Sequence, residues 1–138
     1  NNALRRRLVA EYRRRLSEVP GLTIPFADHV GTSACHLFPV LLDVEIDRGA
    51  LIDEMRAQGI QTSIHYPPIH QFSYYRKRFD GQMEGLSLTE AVGRRELTLP
   101  LYPGMGVDGV RTVVEALCQA LEGRAGARRS PCGGVQEG

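Results

Sequence analysis

The segment His65-Tyr66-Pro67-Pro68-Ile69-His70 brackets a rigid turn with two imidazoles and a phenol. Two consecutive prolines fix their own φ angles, so the turn holds its flanking side chains in place without help from helical spacing. Polar rings at the end of a strand, followed by a stiff loop, suit a ligand site. Imidazole nitrogens and a phenol hydroxyl both donate and accept hydrogen bonds, which suits contact with a polar ligand. His65, Tyr66 and His70 are therefore the candidate ligand contacts. Two further histidines, His29 and His36, lie upstream. A zinc centre needs three or four converging ligands. Cys35, His36, His65 and His70 are the only candidates, and adjacent Cys35 and His36 on a strand point to opposite faces. The spacing matches no zinc pattern, and the ordinary role of each histidine alone is a hydrogen bond within the fold.

Other chemistries leave less trace. There is no GxSxG segment, no glycine-rich phosphate loop and no paired-carboxylate motif. Asp43, Glu45 and Asp47 alternate near a strand end, where a solvated terminus and a helix cap account for them. Cys35, Cys118 and Cys132 are odd in number and far apart, unlike a disulfide framework, and point to buried or incidental thiols in a reducing cytoplasm. Of 17 basic residues only Lys77 is a lysine, and it lies inside Tyr75-Arg76-Lys77-Arg78. Schiff-base chemistry needs a lysine amine, so this chain offers one candidate and no motif around it.

Several elements must position the candidate segment. Leu4, Leu8, Tyr12 and Leu16 recur every four residues and predict an amphipathic helix over 3–18, closed by Pro20-Gly21. Its arginine-rich face reads as a solvated or interface surface. Residues 22–24 form a short strand and 27–33 a loop. The run Cys35 to Val44 is apolar on both faces and predicts a well-packed strand. Pro39 within it requires an edge or a bulge. Asp47 caps a helix over 47–58 that carries Leu51, Ile52 and Met55, and Gly59 stops it. A second strand is expected over 60–66, giving strand–helix–strand. Residues 69–80 are ambiguous, with a short helix one option around Tyr74 to Phe79. Ser87-Leu88-Thr89-Glu90 has the form of a capping box ahead of a helix over 88–95. Residues 97–103 are extended. Val110, Val113, Val114, Leu117 and Leu121 mark a last helix ending at Gly123, with its start blurred by Gly106 and Gly109. From Arg124 the composition lacks the apolar surface to offset ordering entropy, so 124–138 is expected to be a disordered tail after a domain of residues 1–123.

The chain has 138 residues, of which 42% are hydrophobic and 24% charged, with a formal net charge of +1. One soluble domain of the usual size, roughly 100–150 residues, accommodates it. The balanced charge argues against nucleic acid or an anionic membrane as the main partner. No apolar run approaches the roughly 20 residues of a membrane span, and nothing reads as a signal peptide. The chain starts at Asn1 without a methionine, which hints at a piece of something longer. The pattern predicts an α+β fold: a short, mainly antiparallel sheet from about 34–44, 60–66 and a partner segment, packed on the helices.

Taken in order, several segments resemble the C-terminal domain of the DegT/DnrJ/EryC1/StrS family. They are Arg5-Arg6 before a helix with Tyr12 and Leu16, Gly21-Leu22, His36-Leu37-Phe38-Pro39-Val40, and Gly59-Ile60-Gln61-Thr62 leading to His65–His70. Glu90 and Leu97-Thr98-Leu99-Pro100-Leu101-Tyr102-Pro103-Gly104-Met105 follow. The likeness runs over residues 3–121. It implies a pyridoxal-phosphate-dependent sugar aminotransferase of the aspartate-aminotransferase fold (fold type I), of which this chain is the small domain. Family members carry the cofactor, its lysine and its phosphate cradle on a large N-terminal domain. They form homodimers with sites at the interface, and take an amino group from glutamate to a nucleotide-linked keto-sugar. By that resemblance His65, Tyr66 and His70 lie near the substrate entrance, and the chain alone should not transaminate. Two alternatives accompany this one: a non-catalytic dimerisation module derived from the family, and a sugar dehydratase relative. A small metal- or ligand-binding domain built on the histidines is the remaining competitor.

Overall fold

The computed structural model describes residues 1–28, 30–79 and 84–123. His29, Cys132 and the expected tail over 124–138 lie outside the described residues. Helix α1 spans Asn2–Leu16 and buries Leu8, Tyr12 and Leu16, the expected stripe. Leu4 at its start remains half-exposed. Three of the arginines are held internally. Arg14 and Arg15 donate to Glu11, and Arg13 donates to the carbonyls of Phe26 and Ala27. Strand β1 (Leu22–Thr23) pairs antiparallel with β2 (Phe38–Leu42), and β2 pairs antiparallel with β3 (Glu96–Leu99). Helices α2 (Arg48–Ala57) and α5 (Gly106–Glu122) join α1 in a single core with Phe38, Val40, Leu42, Leu97 and Leu99. The fold is α+β with a three-stranded antiparallel sheet in the order β1-β2-β3.

The second strand of the sheet is not where the sequence pattern puts it. Residues 60–66 contribute one isolated bridge, Ser63 to Thr98, and no strand. Ser63 N–H donates to Thr98 C=O at 3.1 Å and its carbonyl accepts in return at 2.8 Å. Two residues on, the amide of His65 goes to the Glu96 carboxylate instead of a backbone carbonyl. That side-chain acceptor ends the ladder. The partner of β2 is instead 96–99, the front of the extended 97–103 run. The strand–helix–strand expectation is thus replaced by an antiparallel pairing of more distant segments.

Strand β2 begins at Phe38, not Cys35, because Cys35 takes a positive φ of 49° that interrupts extended geometry. Its burial alternates: Phe38, Val40 and Leu42 are buried while Pro39 and Leu41 are half-buried. Pro39 is tolerated because β1 reaches only Leu41 and Leu42, so beside Pro39 the sheet is open on that side. Asp47 caps α2 as expected, its Oδ1 accepting from Ala50 N–H at 3.1 Å. In α5 the apparent defect at Gly109 has a packing reason: a Cβ there would lie 2.7 Å from Met105 Cγ.

The capping box does not form. Ser87 is the first residue of α4 (Ser87–Arg95), after Leu86 as cap with no side-chain bond. Glu90 turns to His70 instead. The ambiguous stretch resolves into a short 3-10 turn, Ile69–Gln71, and a six-residue helix α3, Ser73–Arg78.

Candidate functional site

The His65–His70 strap runs along β3 and α4 and is fastened at four points. The first is the Ser63–Thr98 bridge. The second is His65, whose amide donates to Glu96 Oε2 at 2.9 Å and whose Nδ1 lies 3.0 Å from Thr98 Oγ1. The third is Pro68, which is buried against α4. A Cβ on Gly93 would lie 2.6 Å from Pro68 Cγ and 2.7 Å from Cδ, so only glycine allows this approach. The fourth is His70, whose Nε2 lies 3.0 Å from Glu90 Oε1.

The C-terminal end of α4 is itself pinned. Arg48 Nη1 donates to the carbonyls of Gly93 at 2.6 Å and Glu96 at 3.0 Å. Arg95 Nε donates to Leu42 C=O at 2.5 Å, tying the same corner to β2. Beneath the strap, Glu96 and Thr98 are the only buried polar or charged side chains among the described residues, each 5% exposed. Thr98 Oγ1 donates to Glu96 Oε1, so the carboxylate, hydroxyl and imidazole form one chain.

While its flanks are fixed, the tip of the strap is displayed. Tyr66 is 76% exposed and Ile69 61%. The Tyr66 ring stands edge-on to His65, with centroids 4.9 Å apart at 73°. His65, Tyr66 and Pro68 line an open hollow of about 260 Å³ with Thr89, Val92 and Glu96. His65 also borders a second hollow of about 170 Å³ with His36 and Ser63. The structure therefore brings His65 and Tyr66 to one hollow and leaves His70 outside its lining, held by Glu90. A larger hollow of about 590 Å³ lies between α1 and residues 24–39, bordered by Arg6, Val9, Phe26 and Phe38. Its guanidinium from Arg13 is already engaged by two carbonyls.

No group of three or more His, Cys, Asp or Glu side chains among the described residues is placed to hold a metal ion. Cys35 and Cys118 are buried thiols. No helix among the described residues is long and apolar enough to cross a membrane.

Sequence reasoning missed Gly93, Glu96 and Thr98 as parts of this site. The available signal was the alternation Glu96-Leu97-Thr98-Leu99, which puts two polar side chains on one face of a strand.

Comparison with known proteins agrees with this architecture. The family model described as the DegT/DnrJ/EryC1/StrS aminotransferase family matches residues 1–118. A dTDP-4-dehydro-2,3,6-trideoxy-D-glucose 4-aminotransferase of Saccharopolyspora spinosa is 37% identical over 128 residues, covering 92% of this chain and 31% of the relative. The spore coat polysaccharide biosynthesis protein SpsC of Bacillus subtilis is 31% identical over 123 residues, covering 86% and 32%. Helicobacter pylori PseC, an aminotransferase involved in the biosynthesis of pseudoaminic acid, shares the fold with a TM-score of 0.82 at 21% identity, over 88% of this chain and 33% of that one. The chain thus spans under two-fifths of the length of each of these proteins. With a family model matching residues 1–118 and a relative 37% identical over 92% of this chain, the chain belongs to the DegT/DnrJ/EryC1/StrS aminotransferase family.

Proposed function

We propose that residues 1–123 are the small C-terminal domain of an aminotransferase acting on a nucleotide-linked keto-sugar, with glutamate as donor, working as a cytoplasmic homodimer. In this reading the domain closes the active site and presents the His65–His70 strap to the substrate. The observation that carries it is the contrast within the strap: four fastenings hold it while the Tyr66 phenol stands exposed. Fixed polar groups with an open approach cost little further ordering when a ligand binds. The similarity to the S. spinosa aminotransferase supports the substrate class.

Pyridoxal phosphate supplies the electron sink for amino transfer when bound. The residues present here do not fit it. The chain's only lysine, Lys77, is exposed on six-residue α3 between Arg76 and Arg78, on the outside of the fold. We assign the cofactor to a large domain outside this chain. Mixed with pyridoxal phosphate, this chain alone should retain no stoichiometric absorbance band after dialysis; a band that survives and disappears in Lys77→Ala would make it a cofactor domain.

The strap's own part is recognition. His65 and His70 each spend one ring nitrogen on the fold and keep the other, and Tyr66 keeps its hydroxyl. A neutral hydrogen bond to substrate contributes about 0.5–1.5 kcal/mol and one to a charged phosphate about 1.5–3. In the intact enzyme, His65→Ala and His70→Ala should therefore lower kcat/KM for the sugar nucleotide from a few-fold to about a hundredfold, and leave the half-reaction with glutamate intact. Wild-type sugar kinetics in both variants would make the strap scaffolding.

A further inference from the structure

We propose that Glu96 and Thr98 are positioning residues that lock neutral His65 in the Nδ1–H tautomer, so that Nε2 presents a lone pair to a hydroxyl of the substrate. This rests on the reading of the strap as a substrate contact. The protons decide the direction of each bond. Taken in its ionised form, Glu96 only accepts: Oε2 takes the His65 amide proton and Oε1 takes the Thr98 hydroxyl proton. Thr98 has a single hydroxyl proton, and it is spent on Glu96. The 3.0 Å contact between Thr98 Oγ1 and His65 Nδ1 must then run the other way, with Nδ1–H as donor. A neutral imidazole with a proton on Nδ1 has its lone pair on Nε2.

Burial enforces this direction. Glu96 and Thr98 are each 5% exposed, and reversing the chain would set two acceptors against each other in a site with little access to water. Glu96 also grips His65 twice, by accepting from the His65 backbone amide and through Thr98, so tautomer and ring position share one anchor. At His70 the same chemistry gives the opposite tautomer. Its Nε2 faces the Glu90 carboxylate directly and must carry the proton, leaving Nδ1 as acceptor. The His70 side chain is only 12% exposed and lies outside the hollow, so of the two rings it is His65 that borders the space a hydroxylated ligand would enter.

Nitrogen-15 spectra read the tautomer directly. In protein labelled with nitrogen-15 at histidine, the His65 signals are identified by their loss in His65→Gln. At a pH where the ring is neutral, Nδ1 should show the shift of a protonated nitrogen and Nε2 that of an unprotonated one. Thr98→Val, which keeps the shape and the β-branch, should move His65 toward the Nε2–H form, and Thr98→Ser should preserve the Nδ1–H form. An Nε2–H tautomer in the wild type, or a Thr98→Val spectrum unchanged from it, overturns the proposal. Kinetics separate this from the functional reading. Thr98→Val in the intact enzyme should lower kcat/KM for the sugar nucleotide by about 2- to 13-fold, the worth of one neutral hydrogen bond, with recovery in Thr98→Ser. If the spectra behave as stated while the sugar kinetics stay at wild-type values, tautomer control stands and His65 is not a substrate contact.

Discussion

Gly93→Ala sets two effects of opposite sign against each other. Replacing a helical glycine by alanine stabilises a helix interior by up to about 1 kcal/mol. Against this, the new methyl would sit 2.6 Å from Pro68 Cγ, where 3.4 Å is the near edge of ordinary contact, so about 0.8 Å must be found. The helix cannot yield it easily, because Arg48 holds the Gly93 carbonyl at 2.6 Å and the Glu96 carbonyl at 3.0 Å. Nor can the proline ring swing aside as a flexible side chain would. Overpacking of this kind costs about 1–3 kcal/mol, which leaves a net loss of about 0–2 after the helix gain. Stability should therefore change modestly. The strap should move instead, since its fastenings to Glu96 and Thr98 are single hydrogen bonds of 2.9 and 3.0 Å. A displacement approaching 1 Å in a substrate-positioning group can cost on the order of a hundredfold in rate. We expect kcat/KM for the sugar nucleotide to fall roughly ten- to hundredfold in the intact enzyme, with a melting temperature near that of the wild type. Pro68→Ala removes the clashing Cγ and Cδ, so Gly93→Ala combined with Pro68→Ala should recover more activity than either change predicts alone. The reasoning is refuted by a Gly93→Ala enzyme that is more stable and kinetically unchanged.

Tyr12→Phe keeps the stack on Phe38, 4.6 Å between centroids at 18°, but strands the Pro100 carbonyl that the hydroxyl reaches at 2.8 Å. The loss should be about 1–3 kcal/mol in urea denaturation, and an unchanged midpoint would show that water replaces the bond. Burial also pushes the Tyr12 hydroxyl well above the ordinary phenol range, so it stays protonated in the folded state. Hydrogen bonds from Arg14 and then Arg15 hold the Glu11 carboxyl down at about 2, from an ordinary 4.5. A carboxyl depressed on folding contributes stability in full above its unfolded pKa, and that contribution fades as pH falls from about 4.5 to about 2. Glu11→Gln should lower the melting temperature at neutral pH, with the gap to wild type closing across that acid window; a gap independent of pH would mean that Glu11 acts through packing alone.

Periodicity makes α1, α2 and α5 legible in the sequence, whereas α3 stays ambiguous there and α4 is read from a capping box that does not form. Leu8, Tyr12 and Leu16, then Leu51 and Met55, then Val110 to Leu121 each lie on one stripe, and a stripe can be buried in only one way. The motif segments likewise carry the family. Which segment pairs with β2 is not legible. The runs 60–66 and 97–103 are both extended and apolar in part, and pairing depends on where each backbone amide finds its acceptor. The amide of His65 finds the Glu96 carboxylate, a residue 31 positions away, and that long-range bond removes 60–66 from the sheet. The capping box fails for the same reason: Ser87 and Glu90 have the right local spacing, but His70 offers Glu90 a partner from outside the helix. At the site, the residue types and the stiff di-proline point to His65, Tyr66 and His70, because chemistry and backbone restriction are local properties. The roles of Gly93, Glu96 and Thr98 arise from close approach and burial between segments that meet only in the folded chain. A glycine in a helix and a threonine in a strand carry no mark of their partners until tertiary packing brings Pro68 and His65 against them.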